Sequence, residues 1–192
     1  MSRFTLGHTP AHRLWQALRD GQVSPLALWA ESNERHARTG EKLNAYKHWM
    51  KDAAEAQARA AEAAFAVGVD AGPMHGLPIS IKDVYGIKGT PTYAGTARRL
   101  PPKYEEEGPI VTTLRRQLAV FPGKTHTVPF AFGGIGGNTH WGAPWNPWDA
   151  VHHRGTGGSS SGAGGSLWEG SAVVTVGSDA GGSIRMPASL AG

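Results

Sequence analysis

Two glycine-set serine loops stand close together near the C-terminus. GGSSSG runs from Gly157 to Gly162 and SDAGGSIRMPAS from Ser178 to Ser189. Between them lie a helix-like SLWEGSA and a β-branched run, Val173 to Val176. Gly/Ser-rich sequence often forms a flexible linker, but the first loop is short and sits between Trp-rich and Val-rich segments. The pattern predicts loop, helix, strand and loop again, with the strand delivering a serine to the start of a short helix. Further upstream, GLPISIKD (Gly76 to Asp83) ends a short apolar run in Lys82.

These three segments fit one chemical scheme. A serine hydroxyl is a weak nucleophile and needs a base beside it. A desolvated lysine, its pKa lowered towards neutrality, is such a base. Glycines leave backbone N–H groups open to a developing oxyanion. Ser159 and Ser183 are therefore candidate reacting hydroxyls, and Lys82 a candidate base. The two glycines before Ser183 leave consecutive N–H groups free at a helix start, favourable to an anion, with Ser160, Asp179 and Arg185 as supporting candidates.

The rest of the chain reads as α/β, because helical patterns alternate with short strand-like runs and glycine-rich connections. Residues 1–70 are mainly helical. Ser24-Pro25 is a helix start, with an apolar face to about Arg38 and a break at Thr39-Gly40. Leu43 to Met50 reads as a strand or a helix entry. The alanine-rich run Asp52 to Phe65 has high helix propensity and a Glu55/Arg59 pair, and ends near Gly68. In residues 71–192, Leu77 to Ile81 is a buried strand, Pro109 to Leu118 a helix and Ala119 to Phe121 the start of a strand.

Several function classes are excluded by composition and spacing. The 192 residues contain no cysteine, which excludes disulfides and thiolate chemistry and fits a reducing compartment. MSRFTLGHTPAHRLW has no apolar signal core, and no apolar run is long enough to span a membrane. A cytoplasmic location is expected. The net charge of +4 is scattered, so no nucleic-acid groove is expected. Gly123-Lys124-Thr125 lacks the glycine five positions upstream that a phosphate loop needs, since residue 118 is Leu. Nine histidines show no metal-ligand spacing, and no metal or cofactor is expected. Trp141, Trp145 and Trp148 read as packing residues.

The stretch from Gly76 to the C-terminus resembles the N-terminal part of the amidase-signature hydrolases. The match is densest in NTHWGAPWNPWD, GGSSSG and SDAGGSIRMPAS, with the two serines 24 residues apart. The resemblance implies a mixed sheet covered by helices, a Ser–cis-Ser–Lys triad with Ser183 as nucleophile, Ser159 as bridging serine and Lys82 as base, an oxyanion hole from the backbone of Ala180, Gly181, Gly182 and Ser183, and a small-molecule amide substrate. A glutamine-dependent amidotransferase subunit is the alternative within the family, and a non-catalytic remnant the alternative outside it. The sequence departs from the family pattern at VPFAF, at Gly155-Thr156 before the first serine loop, and at Leu118, where a helix-ending glycine is usual. It also stops nine residues after Ser183, so the resemblance implies a partial domain. The missing part would come from a longer reading frame or a partner chain, and a homo-oligomer is a further possibility.

Overall fold

The computed structural model describes residues 4–192. Its centre is a mixed sheet of four short strands, β1 (Tyr46–Trp49), β2 (Ile79–Lys82), β3 (Gly123–Thr125) and β4 (Val174–Val176), in the order β1-β3-β2-β4. β1 runs antiparallel to β3, while β2 is parallel to both β3 and β4. Parallel neighbours need long crossovers. Helix α4 (Pro109–Arg116) lies between β2 and β3 in the chain, and α5 (Ala163–Glu169) between β3 and β4.

β2 is buried along its whole length, and its side chains alternate between two environments. Ile79 and Ile81 enter a core with Leu14 and Leu18 of α1 (Ala11–Arg19), Leu28 of α2 (Pro25–Leu43), Val111 of α4 and Phe121. Ser80 turns the other way: its Oγ lies 2.9 Å from Ser166 Oγ of α5 and 2.8 Å from Thr175 Oγ1 of β4. Lys82, two residues on, shares that polar face.

Helix α2 begins as read, with Ser24 Oγ accepting from Ala27 N at 3.2 Å. It does not break at Thr39-Gly40. Thr39 Oγ1 donates back to the Arg35 carbonyl at 3.0 Å, and a Cβ on Gly40 would collide with the His36 ring. The Thr-Gly pair makes room for a packed imidazole, and the helix continues to Asn44, which takes the left-handed cap at φ 47°. α3 (Lys51–Ala66) buries Ala54, Ala58 and Ala61 on one face. α1, which the sequence pattern does not mark as a separate helix, supplies Leu14 and Leu18 to the core.

The strand expected at Ala119 to Phe121 starts later. Val120 bridges Pro78 alone, Phe121 N donates instead to Gln57 Oε1 at 2.7 Å, and Pro122 has no N–H to give. Regular pairing therefore begins at Gly123. Leu118 itself adopts φ 54° after α4, the turn for which a glycine is the ordinary residue.

Candidate active site

Lys82 ends β2 with its side chain fully buried. Its Nζ donates to Ser159 Oγ at 2.6 Å and to Ser178 Oγ at 2.9 Å. Desolvation pushes the ammonium down to about 8, against the opposing charge of Asp179. A substantial fraction of this lysine is therefore neutral near pH 8.

The first serine loop crosses this face on buried residues, with Ser159, Ser160 and Ser161 all at 0% exposure. The Gly158–Ser159 peptide is cis. The loop cannot accept side chains at its glycines, because a Cβ on Gly158 would meet Gly136 N and Cα at 3.0 and 3.1 Å. Ser160 N donates to the Ser183 carbonyl at 3.1 Å, which ties the two serine loops together. Ser183 is half-buried and directly precedes Ile184 and α6 (Arg185–Ala191).

Lys82 and Ser159 are thus brought into direct contact. Ser183 is brought alongside through the Ser160 bond, with no hydrogen bond between the Ser159 and Ser183 hydroxyls among the described residues.

Asp179 organises the loop that carries Ser183. Its carboxylate accepts from Gly182 N at 2.6 Å, Ile184 N at 3.0 Å and Arg185 N at 3.2 Å, and pairs with the Arg185 guanidinium. The Arg185 bonds lead the interactions that hold this carboxyl far below the usual carboxylate range. One expectation changes here. The Gly182 N–H is committed to Asp179, so Gly182 shapes the turn at φ 115° rather than offering an oxyanion donor. Among the described residues, the N–H groups of Ala180, Gly181 and Ser183 have no internal acceptor.

Three features escaped the sequence reading. Ser178 lies inside a quoted motif, but nothing in its spacing shows that it reaches Lys82. Asp83 and Lys124 form an ion pair at 2.6 Å, both side chains out of water. Thr92 Oγ1 accepts from the same ammonium at 2.6 Å, and Tyr93 N donates to Asp83 Oδ2 at 3.1 Å. Burial raises the Asp83 carboxyl and lowers the Lys124 ammonium. The pair holds down the loop after Lys82, and places Gly123-Lys124-Thr125 in a buried strand. Lys47, finally, stands over the rings of Trp141 and Tyr93 at 3.6 and 4.2 Å, a cation–π contact beside this pair.

Of the three tryptophans expected to pack, Trp141 and Trp145 do and Trp148 does not, its ring standing largely in solvent. Trp141 Nε1 donates to the Thr96 carbonyl at 2.8 Å, and Trp145 stacks on His153 at 4.6 Å. Burial pushes His126 down to about 4, so its ring is neutral beside Asn44. Among the described residues no three His, Asp or Glu side chains cluster as metal ligands, and no helix is long and apolar enough to cross a membrane.

The amidase family model matches residues 27–192. The chain belongs to the amidase family. Among its relatives, the 2-amino-5-chloromuconic acid deaminase of Comamonas testosteroni is 48% identical over 91% of this chain and 38% of its own length. A glutamyl-tRNA(Gln) amidotransferase subunit from Synechococcus sp. (strain CC9605) is 37% identical over 92% of this chain and 36% of its own. A crystal structure of an amidase superposes with a TM-score of 0.85 at 36% identity, covering 94% of this chain and 41% of that one. The chain thus spans about two fifths of the length of these relatives, and over that part its mixed α/β fold is that of the amidase structure.

Proposed function

We propose that this amidase chain carries the reacting groups of an amidohydrolase acting on a small-molecule carboxamide. The observation behind this reading is the 2.6 Å contact between a fully buried Lys82, with its pKa near 8, and Ser159 Oγ, which a bond from Ser160 N ties to the Ser183 loop. Neutral Lys82 accepts a proton from Ser159 as Ser159 takes one from Ser183. Ser183 Oγ adds to the carbonyl carbon, and the N–H groups of Ala180, Gly181 and Ser183 surround the oxyanion. Collapse of the tetrahedral intermediate breaks the C–N bond. Ser159 passes a proton to the departing nitrogen, Lys82 resupplies Ser159, and an acyl ester is left on Ser183. Water then attacks the ester and releases a carboxylic acid.

The test is covalent labelling of the chain by a serine-directed fluorophosphonate, followed by mass mapping. Wild type should label at Ser183, and Ser183→Ala should not. Label retained by the variant would remove Ser183 from the chemistry.

A second reading rests on the amidotransferase relatives, in which this chain would release ammonia from glutamine for a partner. It predicts glutamine cleavage that depends on companion subunits, whereas the hydrolase reading predicts cleavage without them. Either reading leaves the outer edge of β4 to be covered, because β4 ends the sheet and Ile184 and Leu190 after it are exposed. An uncovered edge invites association. We assign its covering to a second copy or to a polypeptide equivalent to the remainder of the relatives, to be tested by light scattering.

A further inference from the structure

Ser178 is fixed by Ser160 and by its own neighbours in the chain. Its N–H donates to Ser160 Oγ and its carbonyl accepts from the same hydroxyl, both at 3.4 Å. On one side, Tyr85 Oη donates to the Gly177 carbonyl at 2.9 Å. On the other, Asp179 is fixed by three backbone N–H groups and Arg185. With its backbone bonded to Ser160 and both chain neighbours anchored, the Ser178 hydroxyl sits 2.9 Å from Lys82 Nζ.

That place matters to a lysine that acts as a base. A charged ammonium has three donors and no acceptor. A neutral amine has two N–H bonds and one lone pair, and abstraction works only when the lone pair faces the Ser159 hydroxyl. Rotation about the terminal C–N bond carries the lone pair through three staggered positions. An acceptor at Ser178 selects among them by holding an N–H away from Ser159.

We propose that Ser178 is a positioning residue that orients the Lys82 amine, so that its lone pair meets Ser159 Oγ. The inference rests on the hydrolase reading above for its catalytic consequence, but the hold on Lys82 is measurable without turnover. In Ser178→Ala, kcat should fall about tenfold with KM nearly unchanged, the loss of one hydrogen bond to a charged or reacting group. The hydroxyl also stabilises the ammonium, so its removal makes Lys82 easier to deprotonate. The acid limb of the rate profile should move to lower pH by about one pH unit. Ser178→Thr, which restores a hydroxyl, should recover both. Unchanged kcat with an unmoved acid limb in Ser178→Ala, or no recovery in Ser178→Thr, would overturn the proposal.

An NMR titration of the whole chain carrying 13Cε-lysine, with the Lys82 signal assigned by its loss in Lys82→Met, separates the two readings. If wild type cleaves no amide, the hydrolase reading fails. The Lys82 midpoint then decides the role of Ser178: a lower midpoint in Ser178→Ala supports the hold, and an unmoved one refutes it. Should Ser178→Ala fail to fold, Ser178→Cys, a weaker acceptor of similar size, takes its place with the same expected directions.

Discussion

Lys124 and Asp83 neutralise each other in the interior, 2.6 Å apart, although the parallel β2–β3 register sets Lys124 level with Ile81, two residues before Asp83. Removing one partner leaves the other charge buried and alone, which costs about 3–5 kcal/mol. Lys124→Ala should therefore lower the urea midpoint severely. Asp83→Asn combined with Lys124→Met should lose much less, because no charge is left behind. Equal losses in the two proteins would show that the pair is not the stabilising feature.

The second prediction concerns pH. Burial lowers Lys82 from its ordinary value to about 8, so the free base grows as pH rises through that value. The rate constant kcat/KM for amide cleavage should climb with pH along a limb centred near 8, and fall tenfold per pH unit below it. Lys82→Arg stays charged throughout this range and should be inactive at every pH. A flat profile between pH 6 and pH 9, each about two units or less from that centre, would contradict a lysine base.

Asp179 tests the loop rather than the proton path. Asp179→Ala removes the acceptor for Gly182, Ile184 and Arg185 N–H, so the turn carrying Ser183 loses its frame. We expect kcat to drop by about a hundredfold, as misplaced reacting groups commonly do, with the circular dichroism spectrum retained. Full turnover in the variant would mean that Ser183 is held by other contacts.

A fourth prediction is steric. Gly162 has an ordinary negative φ of −85°, so its backbone would tolerate any residue. A Cβ there would run into the Ala45 carbonyl oxygen and stand 2.7 Å from His126 N, and both are backbone atoms that cannot swing aside. Gly162→Ala should destabilise by about 3 kcal/mol or more, seen as a lowered Tm. Gly21→Ala tests strain instead of space: that glycine has φ 65° and nothing near its missing Cβ, so a loss of about 1 kcal/mol is expected.

The legible parts of this chain are those whose meaning is local. The apolar run ending at Lys82, the glycines around Ser159 and the Ser-Pro start of α2 carry their structural signal within a few residues. Thr39-Gly40 is local too, but ambiguous: the same pair can end a helix or, as here, admit the His36 ring. Ala119 to Phe121 looks like a strand, and only the distant Gln57 side chain explains why Phe121 leaves the ladder. Asp83–Lys124 and Lys82–Ser178 lie outside such reasoning altogether. Each depends on strand pairing across long stretches of chain, which no residue spacing reveals.

The Lys82 contacts bridge 77 residues to Ser159 and 96 to Ser178. Bringing such distant parts of a polymer together sacrifices chain freedom before the contacts return any of it, and chains rich in remote pairings reach their native state slowly. The helices α2 and α3 have largely local reasons to form, whereas the lysine acquires its neighbours only when β2 and β4 meet. Competence for chemistry therefore arrives at the end of assembly, and an incompletely joined chain would look helical by circular dichroism yet be chemically inert.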